Sequence, residues 1–425
     1  MTKWWLGLFV VLAAACGFPR PADLTSDGGG GGDDQPTGCT RDEDCGRSTP
    51  FCVDTVCAVC KASDSCPAAR PVCDLTSHDC RTCVKDSECD SGACDYAAGT
   101  CVEQGKILYA SAAGTTAEPC TRTQPCSFTQ AVASLDAAHV YIVMAPGIYA
   151  APVFFFSENA TVCGSGATFD AQSFYMNTSG SLWLRNVKMR LSTAQTNVFG
   201  TRSDVIAVAR NGDLILEDAD LETMKPFAVD GGKSIIIRNS IISHGLVSAD
   251  GALVVDRSTF LSGAGIQTTS NAQPLTILNS VFISSSGTNV LTLNTVGDAG
   301  SIATMYIANN TFSNGGISCN GSTGIMGSKF FEANIFYNVD KLAMRNDCYY
   351  SHNLILPVMD VVGADNVAVD PMFVDAGHND LHLKMGSPAI DAADPNPLHP
   401  NGHDRDGNPR PRGNRFDLGA YESAP

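Results

Sequence analysis

The chain has 425 residues, including 40 glycines and 18 cysteines, and a formal net charge of −17. This length allows two or three domains rather than one compact core. No segment is basic, which argues against nucleic acid and anionic membrane surfaces as partners, since both require clustered Lys and Arg.

Residues 1–16, MTKWWLGLFVVLAAAC, place Lys3 before an apolar run and three alanines before Cys16. This pattern is typical of a signal peptide and is too short for a membrane-spanning helix. The alanines, Cys16 and Gly17 resemble the lipobox of bacterial lipoproteins, although Leu12 lies one place too early. The resemblance implies that Cys16 is acylated and anchors the protein to a membrane, with plain secretion as the alternative. Residues 17–38 are rich in Pro, Gly and Asp, which predicts a flexible linker.

Residues 39–103 contain three repeats of four cysteines, which open with CTRDEDC, CKASDSC and CVKDSEC. Behind a signal peptide, an even number of cysteines in repeats favours disulfides, which stabilise segments with few apolar residues. The alternative is a zinc ribbon built from Cys57, Cys60, Cys80 and Cys83. The pairing within a repeat stays open, because four cysteines allow three pairings. The cysteines predicted to form disulfides here are Cys39, Cys45, Cys52, Cys57, Cys60, Cys66, Cys73, Cys80, Cys83, Cys89, Cys94 and Cys101.

From about residue 104 the composition changes to Val, Ile, Leu, Gly, Ser and Asn. The first elements are a strand from Ile107 to Tyr109, a loop with Cys120 and Cys126, a short amphipathic helix, the strand VYIVM and the turn APGIY. The helix places on one face Phe128, Ala131, Val132 and Leu135. This order resembles the N-terminal cap and first coil of right-handed parallel β-helix proteins, the pectin-lyase-like superfamily. We expect Cys120 and Cys126 to close the capping loop as a disulfide.

The rest of this region repeats one short phrase, as in LILEDADLE, IIIRNSIIS, LVVDRSTFLS and LTILNSVFIS. Each copy has alternating aliphatic residues, a polar corner and a second apolar step. A period of this length without helical spacing indicates a β-solenoid. Asn and Asp tolerate the left-handed conformation that a sharp corner needs. The corner residues, 18 to 30 positions apart, are Asp218, Asn239, Arg257, Asn279, Asn309, Ala333 and His352.

These features predict an all-β fold, with a right-handed parallel β-helix over residues 104–360, an N-terminal cap helix and a small disulfide-rich N-terminal region. Cys319 and Cys348 lie about one coil apart, and we expect them to bridge neighbouring coils. Cys163 is then left as a small buried residue of the coil interior.

Residues 361–425 contain the phrases DPMF, DLHL, GSPAIDA, DRDGNPR and DLGAYE. They resemble the C-terminal segment of exported choice-of-anchor β-helix proteins. The resemblance implies a C-terminal cap and display at the cell surface or secretion, without implying one agreed enzymatic activity. The matching positions are Asp370, Pro371, Phe373, Asp380, His382, Leu383, Gly386 to Asp391, Asp404, Asp406, Gly407, Arg410, Asp417, Gly419, Ala420, Tyr421 and Glu422.

Enzymes resembling pectate lyases use Arg or Lys as the base, and the candidates here are Arg185, Lys188, Arg190, Arg238 and Arg257. Alternation along a strand places Trp183 and Arg185 on the outer face and Leu184 inside. An exposed aromatic ring beside an arginine suits a sugar groove. The alternative is that both are solvated residues of an outer sheet surface.

Glycosidases need paired carboxylates, and Asp218, Asp220 and Glu222 are spaced two residues apart, after Glu217. The alternative is a hydrated polar corner. The run at Asp404 is similar to the opening of a calcium loop, but prolines break the ligand spacing.

We instead expect Asp404 and Asp406 to cap tight turns and to pair with Arg410 or Arg412. Four histidines in the C-terminal segment show no metal-binding spacing: His378, His382, His399 and His403.

The sequence therefore predicts a cell-envelope lipoprotein of the outer membrane, or a secreted protein. It would display a β-helix for polysaccharide or cell-surface recognition and adhesion. The alternatives are a polysaccharide lyase or glycoside hydrolase on the same scaffold, and adhesion through the cysteine-rich repeats. We assign no catalytic residue, no cofactor and no metal ligand, and we expect a monomer whose partners are the membrane, through its lipid, and glycans.

Overall fold

The computed structural model describes residues 38–149, 154–170, 174–176, 180–191, 204–208, 211–223, 227–268, 274–295, 304–321, 329–343, 348–398 and 402–424. Cys16, His399 and nearly all of the predicted linker lie outside these residues. The chain divides into two compact units, residues 1–61 and residues 62–425. Within the described ranges, no helix has both the length and the hydropathy needed to cross a bilayer.

The first unit contains the first cysteine-rich repeat. It has a 3-10 turn at Asp42–Asp44 and a hairpin of two antiparallel strands, Phe51–Val53 and Val56–Ala58. Disulfides join Cys39 to Cys52 and Cys45 to Cys57, so the first cysteine pairs with the third and the second with the fourth.

The second unit begins with the other two repeats, which have the same design. Each has a 3-10 turn (Ser63–Ser65, Asp86–Glu88) followed by a hairpin (Val72–Cys73 with Cys80–Arg81, Cys94–Asp95 with Thr100–Cys101). Three disulfides follow the same order: Cys66–Cys80, Cys83–Cys94 and Cys89–Cys101. Cys60 and Cys73 are disulfide-bonded as well. The predicted disulfide-rich region is confirmed, and paired sulfurs lack the thiolate that a zinc site requires.

The parallel β-solenoid that follows has three sheets, in which strands of successive coils pair in parallel register. A 3-10 turn at Gln104–Lys106 and the helix Phe128–Ala133, capped by Ser127, belong to its first coil. Sheet I consists of Ile107–Ala110, Tyr141–Met144, Ala160–Cys163, Ser181–Arg185, Asp213–Glu217, Ser234–Arg238, Ala252–Asp256, Leu275–Leu278, Met305–Ala308, Lys329–Glu332, Cys348–Ser351 and Gly363–Ala364. Sheet II consists of Gly147–Tyr149, Ala167–Phe169, Lys188–Leu191, Asp220–Thr223, Ile241–Ser243, Thr259–Leu261, Val281–Ile283, Thr311–Ser313, Ile335–Tyr337 and Leu354–Leu356. Sheet III consists of Phe154–Phe156, Phe174–Met176, Asp204–Val208, Phe227–Gly231, Leu246–Ala249, Gly265–Thr268, Asn289–Thr295 and Gly316–Gly321.

The bend between sheets I and II is the corner that the repeated phrase predicts. All seven predicted corner residues adopt the left-handed conformation, with φ between 47° and 55°. Four of the seven are Asn or Asp, which reach this conformation at low cost because their side chains can hydrogen-bond locally. Ala333 adopts it without such a side chain. The prediction of a parallel β-solenoid is confirmed.

A buried polar ladder runs along the inside of this corner. From Ser240 onward, the side chain that follows the left-handed corner accepts a hydrogen bond from a backbone N–H of the preceding coil, at distances of 2.9 to 3.2 Å. The ladder therefore satisfies backbone donors that the bend removes from the sheets. Its members are Ser240, Ser258, Ser280, Asn310, Asn334, Asn353 and Asn366.

Aliphatic and aromatic side chains fill the interior of the coils. Four phenylalanines of sheet II stack with ring centroids 4.7 to 5.0 Å apart, which matches the spacing of neighbouring strands: Phe260, Phe282, Phe312 and Phe336. Two further disulfides join Cys120 to Cys126 and Cys319 to Cys348. Cys163 is a buried free thiol, but the expectation that it lies inside a coil is wrong. It packs with Ala93, Val102 and Tyr109, outside sheet I.

The C-terminal segment turns back and covers the outer face of sheet II. After the hairpin Phe373–Asp375 with Asp380–Leu383, which encloses a 3-10 turn at Ala376–His378, it is largely irregular. Its apolar side chains bury the outward-facing side chains of sheet II, Val281, Ile335 and Leu354. The residues of the C-terminal segment in this cluster are Phe373, Leu381, Ala389, Ala393, Leu418 and Ala420. Backbone N–H of Gly419 donates to the carbonyl of Ala333 at 2.8 Å. The segment therefore closes the side of the solenoid.

Candidate functional site

The third cysteine-rich repeat packs on the outer face of sheet I. The guanidinium of Arg185 donates to the Asp86 carboxylate at 2.9 Å and to the carbonyl of Cys94 at 2.7 Å. It also packs against the rings of Tyr96 and Trp183, with its central carbon 3.9 and 3.8 Å from their centroids. Arg185 points outward, as expected, but the expectation that it is exposed to solvent is wrong, because only 1% of the residue is accessible. Arg185 therefore holds the repeat to the solenoid. Because its guanidinium is buried and already bonded, it is no longer a candidate for the catalytic base.

Two further contacts fix this repeat near the first coil. Arg122 makes a two-pronged ion pair with Asp90, at 2.7 and 3.0 Å. The hydroxyl of Tyr109 donates to the carbonyl of Ser91 at 3.0 Å. Several independent contacts thus make the repeat an outer layer of the solenoid rather than a separate arm.

A cleft of about 450 Å³ lies where this repeat meets the corner between sheets I and II. One wall comes from the repeat, and the floor comes from four successive coils. The lining residues are Val84, Lys85, Tyr96, Asn186, Glu217, Asp218, Asn239 and Arg257. The cleft therefore brings an aromatic ring, two carboxylates, two amides and two cations together.

The floor follows directly from the corner geometry. Asn186, Asp218, Asn239 and Arg257 are all left-handed corner residues of consecutive coils, so their side chains leave the solenoid at the same place. The amide of Asn239 donates to the carboxylate of Asp218 in the coil before it. The stacking of the coils thus places corner residues that are regularly spaced in the sequence side by side in one continuous polar row.

A second row lies beside the corner, on the outer face of sheet I. Strand register places Arg185, Glu217, Arg238 and Asp256 next to one another in four successive coils. Opposite charges on neighbouring strands stabilise each other. The row therefore carries alternating positive and negative charges toward the cleft.

Glu217 is a partly buried carboxyl group in the lining of the cleft. Burial raises the pKa of its carboxyl group, while the positive charges of Arg185 and Arg238 oppose that rise and Asp218 adds to it. Among the described residues, its Oε2 atom has no geometrically acceptable hydrogen-bond partner. A carboxyl group with these properties retains its proton to higher pH than an exposed glutamate.

The C-terminal segment contacts one of the residues that line the cleft. Arg405 donates from Nε and Nη2 to the hydroxyl of Thr259 at 3.1 and 3.0 Å. Its Nη1 atom lies 3.5 Å from the side-chain oxygen of Asn239, which lines the cleft. Three segments that are far apart in sequence therefore converge at one site.

The other predicted candidates do not join the cleft. Arg190 pairs with Asp220 at 2.8 Å and with Glu222 at 3.1 Å, which makes an ion-pair cluster on sheet II. Lys188 is exposed beside this cluster. The carboxylates at 220 and 222 are therefore paired with an arginine and do not form the acidic pair of a glycosidase with Asp218.

The Asp404 run is a capped turn, as expected. Both oxygens of Asp404 are occupied by N–H donors, from the backbones of Asp406, Asn408 and Glu422 and from the side chain of Asn408. The expected ion pair of Asp404 or Asp406 with Arg410 is wrong. Arg410 instead donates to Glu422 at 2.9 Å, where both side chains are almost fully buried.

The described histidines of the C-terminal segment also differ in role. His378 pairs only with Asp375, at 2.8 Å. His382 lies between Asp380 and Asp406, and its ring lies 4.0 Å from that of Tyr421.

The sequence pattern alone did not identify this cleft. Tyr96 and Lys85 were assigned to a disulfide-rich stalk, and Arg405 to a C-terminal cap. A signal was nevertheless present, since alignment of the phrases LWLRN, LILED, IIIRN and LVVDR shows the alternating charges and the polar corner in register.

No family model matches the chain, and no curated protein matches it. Among solved structures, the chain is similar to pectate lyase Pel9A, with 14% identity, a TM-score of 0.38, and coverage of 76% of this chain and 97% of that one. It is also similar to a rhamnogalacturonan lyase, with 15% identity, a TM-score of 0.31, and coverage of 63% and 85% respectively. Likenesses this distant carry no information on activity, and the parallel β-solenoid stands on the strand pairing itself.

Proposed function

We propose that this protein recognises glycans at the cell envelope through the cleft between the third cysteine-rich repeat and the solenoid corner. The observation that carries this proposal is the composition of the cleft. Tyr96 offers a ring for the apolar face of a sugar, while Asp218, Asn239 and Arg257 offer planar polar groups for its hydroxyls. The volume also falls in the range of about 300–1,000 Å³ that is usual for ligand sites.

The test is binding of the purified protein to a panel of plant, algal and bacterial glycans. We expect Arg257→Asn to weaken binding roughly tenfold or more, because it removes charged hydrogen-bond donors. Asn occupies equivalent left-handed corners at 239 and 279, so the backbone should be preserved. Arg412→Asn, in an exposed part of the C-terminal segment, is the matched control. Equal binding by both variants, or no binding to any glycan by the wild-type protein, would contradict the proposal.

A second candidate function is glycoside hydrolysis in the same cleft. Glu217 favours it, because a half-buried carboxyl group with a raised pKa suits a general acid. The glycan panel distinguishes the two functions when it is also assayed for new reducing ends. Hydrolysis would release them, and more slowly as rising pH deprotonates Glu217, whereas recognition alone would release none.

We also propose that Cys16 is acylated and anchors the protein to the outer membrane. Support comes from the sequence of residues 1–16, and the segment 17–38 would separate the anchor from the folded region. Labelled palmitate should enter the wild-type protein and not the Cys16→Ser variant, which should fractionate as a soluble protein. Equal labelling of the two would show that Cys16 is not the acylated residue.

A further inference from the structure

The turn 404–408 of the C-terminal segment links a histidine to the cleft. Asp404 caps this turn from within, and the backbone N–H of Arg405 donates to the carbonyl of Ala420 at 2.9 Å. Two neighbouring side chains then leave the turn in different directions. Asp406 contacts His382, and Arg405 contacts Thr259 and Asn239.

The geometry around His382 requires two protons on one imidazole ring. Its Nδ1 atom lies 2.5 Å from a carboxylate oxygen of Asp380, and its Nε2 atom lies 2.8 Å from a carboxylate oxygen of Asp406. An ionised carboxylate only accepts hydrogen bonds, and a neutral imidazole has one N–H. Both contacts therefore exist together only in the imidazolium form, and loss of one proton must break one of them.

In the described part of the chain, the titratable and charged groups around this ring come from three elements. Asp380 lies on the same strand as His382, Asp406 and its neighbours Asp404 and Arg405 lie on the turn, and Tyr421 packs against the ring. Burial lowers the pKa of His382, but the hydrogen bonds that its ring donates to the two carboxylates, together with their negative charges, raise the pKa above its usual value overall. The imidazolium therefore persists to higher pH than in an ordinary histidine, and one of the two contacts is lost as pH rises through the raised pKa.

We propose that His382 is a protonation-dependent clamp that holds the turn 404–408 and so positions Arg405 at the rim of the cleft. In the imidazolium form the clamp ties the turn to the strand Asp380–Leu383. In the neutral form one tie is lost, and Arg405 is held less firmly against Asn239. The consequence for the cleft, weaker binding at alkaline pH, rests on the function proposed above.

The experiment is amide hydrogen exchange of a peptide covering the turn 404–408 in the full-length protein. Wild-type protein is compared with His382→Gln at the same pH, so that the intrinsic pH dependence of exchange cancels. Gln is uncharged at every pH and carries its donors on a single nitrogen, whereas the imidazolium donates from two nitrogens on different sides of its ring. At about pH 5 we expect the wild-type turn to exchange roughly threefold more slowly than the variant, the size of effect seen for exposed ion pairs. At a pH high enough to deprotonate the wild-type ring, the two proteins should coincide, because neither side chain then carries a charge.

His378→Gln is the matched control, because His378 has one carboxylate partner and is exposed. This variant should follow the wild-type protein at both pH values. Equal exchange of wild type and His382→Gln at acidic pH, or a difference that persists unchanged at alkaline pH, would overturn the clamp. The glycan panel read at the same two pH values tests the cleft separately. Binding that weakens at alkaline pH in the wild type but not in His382→Gln supports the link, whereas no glycan binding contradicts the proposed function and leaves the exchange result to decide the clamp.

Discussion

Arg185→Met is expected to free the third cysteine-rich repeat from sheet I and to cost about 3–5 kcal/mol, the usual result of breaking a buried ion pair. The substitution leaves the Asp86 carboxylate buried without its positive partner and removes the cation from between Tyr96 and Trp183. The repeat should keep its own fold, because its two disulfides are internal. The effect is therefore local, on docking of the repeat and on the cleft wall that it forms.

Hydrogen exchange and limited proteolysis of residues 83–101 measure this docking. Arg190→Met is the control, because Arg190 also forms ion pairs with carboxylates but is partly exposed, and its loss should cost about 1 kcal/mol or less. Adding Asp86→Leu to Arg185→Met removes both buried charges and should recover part of the loss. Similar protection of the repeat in Arg185→Met and Arg190→Met would show that the ion pair does not hold it.

Arg410→Met is expected to detach the last part of the C-terminal segment from sheet II, again at a cost of about 3–5 kcal/mol. Arg410 also donates to the carbonyls of Asp417 and Gly419, and the carboxylates of Asp404, Asp417 and Glu422 surround it. Without the arginine, these buried acids face one another. Burial already raises the pKa of Glu422 to about 7, and loss of the positive charge should raise it further.

The readout is exchange of the Leu418 and Gly419 amides, which donate to the carbonyls of Ala389 and Ala333. Arg412→Met, two residues away and exposed, should leave both amides protected. Glu422→Gln should cost less than Arg410→Met, since Arg410 retains Asp404 and Asp417 as nearby negative charges. If Arg410→Met left these amides as protected as Arg412→Met does, the buried cluster would not be what holds the segment.

The solenoid was predictable because each of its coils is specified locally. Alternating aliphatic residues define a strand, and a residue that accepts the left-handed conformation defines the bend, as at Asn239 and Asn279. The stacking of the coils then needs no further prediction, since each coil pairs in register with the next. Even Arg257 and His352, which are not typical corner residues, were placed correctly by the repeat around them.

The candidate site was predictable only in its floor. Asp218 and Arg257 could be assigned to the corner row from the repeat, whereas the role given to Arg185 was wrong. Exposure of an outward-facing residue depends on what packs over it, and here residues 83–101 cover it. The spacing of residues in the sequence does not predict that contact, which joins residues 99 positions apart.

By itself, the sequence determined the periodic core, the position of the bends and the disulfide-rich character of the N-terminal region, because these depend on neighbouring residues or on one repeated unit. The tertiary structure alone decided that the third repeat and the C-terminal segment fold back on the solenoid from opposite directions. Both parts contact the solenoid through long-range interactions, whose energy depends on burial and on geometry rather than on local pattern. The cleft exists only where the third repeat meets the solenoid corner.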